Sequence, residues 1–338
     1  MKGSRVAQIV TALWMGWVPT SAWAQNIQVQ LDEDFAETTG MNANSVKGEL
    51  DQAIQGQLNL EEQAEYLAQM SRASAFAGRG MGVDYIVMPK RLVVGGSVGT
   101  AGNGAGLRAP GDSLMPQGGF AWQVAGMVGL NLGAISNNDG FARRFVIFAN
   151  GMALQRNRDP FEAASSNLGG HLQIRLVKPR EMVSAEWGGL ALTGGYERAI
   201  YQMALTQAAT VDAGDLKWEP EGSYTIRSLS ESVPVELSTS LRLLFFGVYG
   251  GVGWDIPLYA RSTADVSLDG DIYARVNGNQ INVGRATVGL DNEAITEDLV
   301  TRFFTGIQLK LAVLHAYGHL NVGTDKSVGL HTGLRVGI

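Results

Sequence analysis

The stretch Ser327–Ile338, SVGLHTGLRVGI, alternates between two kinds of side chain. The even positions are Val328, Leu330, Thr332, Leu334, Val336 and Ile338; the odd positions are Ser327, Gly329, His331, Gly333, Arg335 and Gly337. Successive side chains of a β-strand point to opposite faces, so this segment predicts a strand with one apolar and one small or polar face. The same pattern recurs in Phe120–Ala134.

A two-faced strand fits either a soluble sandwich or a barrel in a membrane. Three features favour the membrane. The strands Phe120–Ala134 and Val233–Leu243 reach the roughly 9–11 residues that cross a bilayer at a tilt. The polar face is rich in Gly and carries isolated cations, as a lumen does. Aromatic residues such as Trp122 and Phe246 lie near strand ends, where an interfacial girdle forms. We therefore predict a closed antiparallel transmembrane β-barrel.

Composition narrows the function further. The 338 residues include 44 Gly and no Cys, and the formal net charge is −6. An acidic balance argues against nucleic-acid binding, which needs a basic face. Without Cys there are no thiolate metal sites and no disulfides. No nucleophile elbow, phosphate-binding loop or zinc-protease motif occurs. The sequence therefore predicts neither an enzyme nor a cofactor.

The first 24 residues predict a cleaved export signal. Lys2 and Arg5 precede an uncharged stretch from Val6 to Val18, and Ala22-Trp23-Ala24 is an A-x-A cleavage pattern. Residues 25–90 are polar and helical in parts, since Val46, Leu50 and Ile54 recur every four residues. This segment is either a periplasmic helical pair or a plug in the lumen. The barrel is predicted over 91–338.

An internal sequence repeat suggests two equivalent hairpins. Ser240–Gly250 recurs as Gln308–Gly318, with matching faces and a tight apolar turn in each copy. If the last strand ends in the periplasm, these turns are periplasmic, and the longer stretches near 100–118 and 206–222 are extracellular. The pattern predicts about 12 strands within a range of 10–14. It predicts 10 if the pair 262–290 forms an extracellular hairpin.

The C-terminal segment resembles the last strand of outer-membrane β-barrel proteins of Gram-negative bacteria. Leu330, Leu334 and Val336 match its alternating apolar positions, whereas Ile338 stands where that family usually has an aromatic residue. The Leu-x-Leu hairpin Gln308–Leu311 is similar to that of uncharacterised barrels of comparable length. The resemblance implies an outer-membrane location and insertion by the barrel-assembly machinery. It implies no particular solute.

Six polar residues are expected to face the lumen: Arg175, Arg242, Lys310, Arg335, His319 and His331. The four cations lie near the periplasmic ends of their strands. They either form a ring that favours anions or pair with Glu186, with Glu236 or with an acidic plug. The plug charges would come from Asp32, Glu33, Asp34, Glu61 and Glu62. His319 and His331 face each other if the last hairpin turns at Asp325, but without a third ligand in register we predict no metal.

The sequence thus supports two hypotheses. The first is a channel or transporter for a small solute, in which residues 25–90 partly fill the pore. The second is a non-conducting structural or surface-interaction barrel that acts through its extracellular loops. The expected partner in both cases is outer-membrane lipid.

Overall fold

The fold is described from a computed structural model, which covers residues 24–58, 60–86, 91–104, 118–136, 140–158, 161–208 and 210–337. The predicted export signal, apart from Ala24, lies outside these residues. So does most of the predicted loop near 100–118.

Four α-helices and fourteen strands make up the described chain. The helices are α1 (Phe35–Thr39), α2 (Ala43–Leu58), α3 (Leu60–Phe76) and the single turn α4 (Gly133–Ser136). The strands are β1 (Ala24–Leu31), β2 (Leu92–Asn103), β3 (Gly119–Asn131), β4 (Phe145–Arg158), β5 (Phe161–Val177), β6 (Arg180–Glu181), β7 (Glu186–Ala208), β8 (Val211–Ala213), β9 (Leu216–Leu243), β10 (Phe246–Val276), β11 (Asn279–Ile295), β12 (Val300–Leu311), β13 (Leu314–Gly323) and β14 (Ser327–Gly337). A 3₁₀ turn, Phe141–Arg144, precedes β4.

Ten of the strands close into a ring of antiparallel neighbours, in the order β10, β12, β13, β14, β2, β3, β4, β5, β7 and β9. The pairing of β9 with β10 closes it, from Phe246 opposite Leu243 onward. The predicted fold class, an antiparallel β-barrel, is confirmed. The strand number is 10, the lower end of the predicted range.

The count falls from 12 to 10 because the two predicted strands 245–259 and 262–276 are one continuous strand and the predicted strand 280–290 lies outside the ring. Beyond Asp255, β10 no longer pairs with β12. It continues against β9 and takes β11 as its other neighbour from Arg261 onward. The predicted pair 262–290 is therefore a hairpin that projects from the barrel. The predicted loop 206–222 is also wrong, since most of it belongs to β7, β8 and β9.

This projecting sheet is called the extension below. It consists of β1, β8, β11 and the outer parts of three ring strands, residues 197–208, 216–232 and 258–276. The opposite end of the barrel, with the tight turns 243–246 and 311–314, is called the turn end. Leu244 and Ala312 adopt positive φ at these turns, as the predicted tight hairpins require.

The apolar face of β9 changes sides along its length. Near the turn end Leu237 and Leu241 point outward, and buried Glu236 and Ser238 point inward. In the extension the buried inward residues are apolar, as at Trp218. Over the barrel the exposed large side chains form an apolar belt, as lipid requires, whereas the extension is built like a soluble sheet.

The N-terminal helices pack beneath the extension. Leu50, Ile54 and Leu67 are fully buried against strand residues that include Trp218 and Leu268. The four-residue spacing of Val46, Leu50 and Ile54 thus corresponds to one buried helical face. No helix in the described ranges is long and apolar enough to span a membrane.

Candidate functional site in the barrel lumen

Residues 77–86, called the lumen segment below, run along the axis of the barrel. The chain leaves α3 at Phe76 at the extension end, and Ile86 lies against Gly247 near the turn end. Apart from Gly78, these residues are buried. The segment has neighbours on all ten ring strands: Gly99, Gln123, Asn150, Gln173, Glu197, Glu236, Asp255, Phe304, His319 and Arg335.

Residues 25–90 divide into two parts. The helical pair is present as α2 and α3, and its apolar faces are buried in a cluster with the extension and the outer ends of β2 and β3, not in the lumen. Only the glycine-rich stretch after α3 enters the lumen, because it lacks the bulk of a helix.

Arg79 anchors the lumen segment at the extension end. Its guanidinium pairs with Glu197 on β7, and its Nε lies 3.1 Å from Oδ1 of Asp255 on β10. It also donates a hydrogen bond of 2.6 Å to Oγ of Ser232 on β9. One side chain of the segment thus joins three strands of the wall.

Arg302 continues this chain of charges on the wall itself. It is completely buried, pairs with Glu236, and its Nε donates to Oδ2 of Asp255 at 3.0 Å. It also donates to Oδ1 of Asn321 at 2.8 Å, and Asn321 donates to the carbonyl of Arg79 at 3.1 Å. Two guanidinium groups and three carboxylates form one buried network. Removing one member leaves the others unpaired in a medium of low dielectric constant.

A second pair lies nearer the turn end. Nη1 of Arg335 on β14 is 3.4 Å from Oδ1 of Asp84, and both side chains are 1% exposed. The guanidinium carbon of Arg335 lies 3.8 Å from the centre of the Tyr317 ring. The hydroxyl of Tyr85 donates a 2.8 Å hydrogen bond to Glu236. The wall thus presents carboxylates to Arg79 at one level and a guanidinium to Asp84 at another, so the charges fix the register of the lumen segment.

Glycine is required where this segment passes closest to the wall. A Cβ on Gly78 would lie 2.6 Å from Oε1 of Gln123. Gly80 has φ +83°, and a Cβ there would lie 2.9 Å from Nε2 of His319. Both backbone conformation and space therefore exclude a larger residue at Gly80.

Two of the predicted lumen cations have partners. Arg242 pairs with Glu186 at 2.7 Å, as the pairing hypothesis suggested, whereas Arg335 pairs with Asp84, which was not among the suggested partners. The other suggested partner, Glu236, pairs instead with Arg302. Arg175 lies near both Glu186 and Arg242. Lys310 is opposite His315 in the β12–β13 ladder.

His319 and His331 are opposite each other in the β13–β14 ladder, as the predicted turn at Asp325 requires. Their rings are nearly parallel, with centres 5.4 Å apart, and both are buried. Nδ1 of His319 is 2.9 Å from the hydroxyl of Tyr249. Within the described residues, no three His, Asp or Glu side chains are grouped closely enough to hold a metal ion. The two rings are packed among aromatic neighbours, Tyr85 and Phe304 included.

The sequence analysis missed the residues that dominate this site: Arg79, Asp84, Glu197, Asp255 and Arg302. The alternation Gly78-Arg79-Gly80-Met81-Gly82 was a signal, because glycines at every second position mark a chain in close contact on one side. The ion pairs join residues as far apart in the sequence as Asp84 and Arg335, so no local pattern indicates them.

Little open space remains around the segment. A cavity of about 50 Å³ lies at its extension end between α3 and the wall, beside Arg79, Ser230 and Asp298. A space of about 10 Å³ lies on the other side of Arg79, beside Gln123 and Asn167. These volumes hold a few water molecules at most. At the level of Arg79 the lumen segment therefore leaves room for little more than water.

The fold and the site define a class: a ten-stranded antiparallel β-barrel with an apolar outer belt and a lumen filled by its own chain. Residues 26–338 match the model of the Lsa36-like family, and the chain belongs to that family. No curated protein matches it in sequence.

Several solved barrels are similar over most of their length. The outer membrane protease OmpT of Escherichia coli is 10% identical, with a TM-score of 0.36 over 74% of this chain and 98% of that one. The translocator domain of the autotransporter NalP of Neisseria meningitidis is 10% identical, with a TM-score of 0.31 over 82% and 97%. The toluene transporter TbuX of Ralstonia pickettii is 7% identical, with a TM-score of 0.29 over 80% and 94%.

Proposed function

We propose that this protein is an outer-membrane channel for a small solute, held closed in the described state by residues 77–86. The proposal includes export by the signal at residues 1–24, insertion by the barrel-assembly machinery of a Gram-negative cell, and a role in transport, not catalysis. The turn end faces the periplasm and the extension faces outward.

One observation carries the proposal: wall charges are paired with the lumen segment. Glu197 is held by Arg79, and Arg335 is held by Asp84. A barrel filled only by its own side chains has no need of such partners, since its wall groups pair with one another. Charges aimed at one removable segment suit a lumen that opens when the segment moves.

Planar-bilayer conductance tests this. We expect the wild-type protein to be closed or to open only rarely. The double variant Arg79→Ala/Asp84→Ala should open often, because Glu197 and Arg335 lose their partners. A matched control removes a charge pair from the extension surface, Asp269→Ala/Arg285→Ala, and should stay closed.

A second variant keeps the test informative if the double variant fails to fold. In it, residues 79–86 are replaced by Gly and Ser without a change of length. If both variants assemble as barrels, shown by heat-modifiable gel mobility, and neither conducts, the channel role is wrong. The alternative is then a non-conducting surface-interaction barrel, which acts through the extension.

A further inference from the structure

We infer that residues 24–76 reach the extension end by passing through the barrel of their own chain, so that the barrel serves as an export conduit for its own N-terminal region. The inference rests on the proposed outer-membrane location and orientation. It adds an activity that the channel proposal does not contain.

The path of the chain is the first argument. Phe76 lies at the extension end, whereas Ile86 lies against Gly247 near the turn end. The first ring strand then starts at the turn end, where Val93 is opposite Gly337. The chain therefore crosses the full barrel before it builds the barrel. With the turn end in the periplasm, the described residues before 77 lie on the far side of the membrane.

The size of the N-terminal region is the second argument. Helices α2 and α3 have 16 and 17 residues, each about 25 Å long. They pack against the extension, and β1 adds to it by pairing with β11 from Ala24 to Leu31. A unit of this width does not fit a lumen that the ten-residue segment already fills. The region therefore crosses unfolded, and it folds on the outer side.

The charge of the crossing region is the third argument. Residues 25–76 contain nine acidic residues but only Lys47 and Arg72 as basic ones. The lumen near the turn end carries Arg175, Arg242 and Arg335 on its wall, with Lys310 beside them. A cationic entrance attracts an acidic chain and orients its entry. This assigns a role to cations of which Arg242 pairs with Glu186 on the wall, whereas Arg335 gains its partner Asp84 only when the lumen segment is in place.

The apolar contacts explain why the N-terminal region would move outward and stay there. Leu50, Ile54 and Leu67 are buried in one apolar cluster with residues of the extension such as Leu268 and Val288 and with the outer ends of β2 and β3. In the periplasm the two helices have no such surface, and helices of this length are marginal alone. Folding against the extension therefore retains the region outside, and Arg79 and Asp84 then seal the lumen behind it.

Cysteine labelling tests the final position, since the chain has no Cys of its own. Three single variants are compared on cells: Lys47→Cys on α2, Gln280→Cys in the extension and Val183→Cys at the turn end, all at exposed positions. A membrane-impermeant maleimide should label positions 47 and 280 on intact cells, and position 183 only after permeabilisation. Labelling at 47 only after permeabilisation, with position 280 labelled on intact cells, overturns the inference alone. The reverse pattern at 280 and 183 overturns the proposed orientation and the inference with it, whereas conductance tests the channel role separately.

A cargo experiment tests the route. A small domain closed by one disulfide is fused ahead of residue 25 in the full chain that carries Lys47→Cys. Its matched control has both cargo cysteines replaced by Ser and stays unfolded. We expect the unfolded cargo to allow labelling at position 47 on intact cells and the oxidised cargo to reduce it at least ten-fold. Equal labelling with both cargoes shows that the region does not pass through a narrow lumen.

Discussion

The barrel and the extension share the strands β9 and β10 but carry their apolar side chains on opposite faces. In the barrel the inner face of β9 carries Glu236, Ser238 and Arg242, and in the extension it carries Trp218 and Ile226. The barrel excludes water from its outside with apolar side chains and satisfies its inside with ion pairs. The extension does the reverse, as a sheet in water must.

The point at which the apolar side chains change from the outer to the inner face marks the edge of the membrane. On β9 it falls at the buried residues Ser228, Ser230 and Ser232, which separate the apolar core from the charged lumen. On β10 it coincides with a β-bulge between Pro257 and Tyr259. The bulge shifts the side-chain parity by one, so the outward positions are even before it and odd after it. The outer face of the same sheet thereby contacts lipid in the barrel and water in the extension.

The largest effect is expected in the lumen. Arg302→Met should lower the free energy of unfolding by about 3–5 kcal/mol, because Glu236 and Asp255 are left buried without their main partner. Urea unfolding, followed by loss of heat-modifiable mobility, measures it. The control Arg198→Met removes the half-exposed partner of Glu231 and should change stability by under about 1 kcal/mol. Equal losses in the two variants would mean that the lumen network is not a buried one.

Sequence alone predicted the fold class, and the reason is local. The alternation from Val328 to Val336 can be recognised from neighbouring residues alone. The same holds for the four-residue spacing of Val46, Leu50 and Ile54. The strand number was harder, because residues 262–276 alternate as regularly in the extension as a membrane strand does. Only the exchange of sides, with Asp265 and Asp269 outward and Leu268 inward, distinguishes the two.

The candidate site was predicted only in part, for a related reason. Parity along each strand was enough to place Arg242, His319 and His331 on the inner face. It gave no information on Arg79 and Asp84, because the lumen segment has no regular secondary structure. Their partners are selected by the closure of the barrel, which joins strands far apart in sequence.

The next effect tests the inversion on one face of one strand. Leu237→Lys places a charge in the apolar belt and should cost about 2–4 kcal/mol near the bilayer midplane. The matched variant Thr225→Lys lies on the same outward face of β9, twelve residues away in the extension, and should be nearly neutral. The measurement is the urea dependence of folding into lipid vesicles. A similar cost at both positions would contradict the assignment of the belt to lipid.

A smaller effect separates lumen packing from backbone strain. Gly80 and Gly214 both have positive φ, but only Gly80 has neighbours where a Cβ would stand. Gly214→Ala should cost about 1 kcal/mol for the backbone alone. Gly80→Ala should cost about 2 kcal/mol more through its clash with His319. Urea unfolding of the two variants gives the difference, and no difference would show that the lumen segment is loosely packed.

The smallest effect belongs to the charges on the extension surface. The Arg285 guanidinium, 2.5 Å from Asp269, lowers the pKa of that carboxyl below its usual value. The pair therefore contributes stability above the unfolded-state pKa of Asp269, and this contribution is lost as the pH falls through the lower folded-state value. Because both side chains are exposed, the contribution is weak and screened by salt. Asp269→Asn should thus shift the urea midpoint slightly at pH 7 and low salt, and not at all in 1 M salt or below the folded-state pKa. A shift at pH 7 that persists in 1 M salt would mean that Asp269 acts through packing, and the contrast with the salt-resistant pairs of the lumen would be lost.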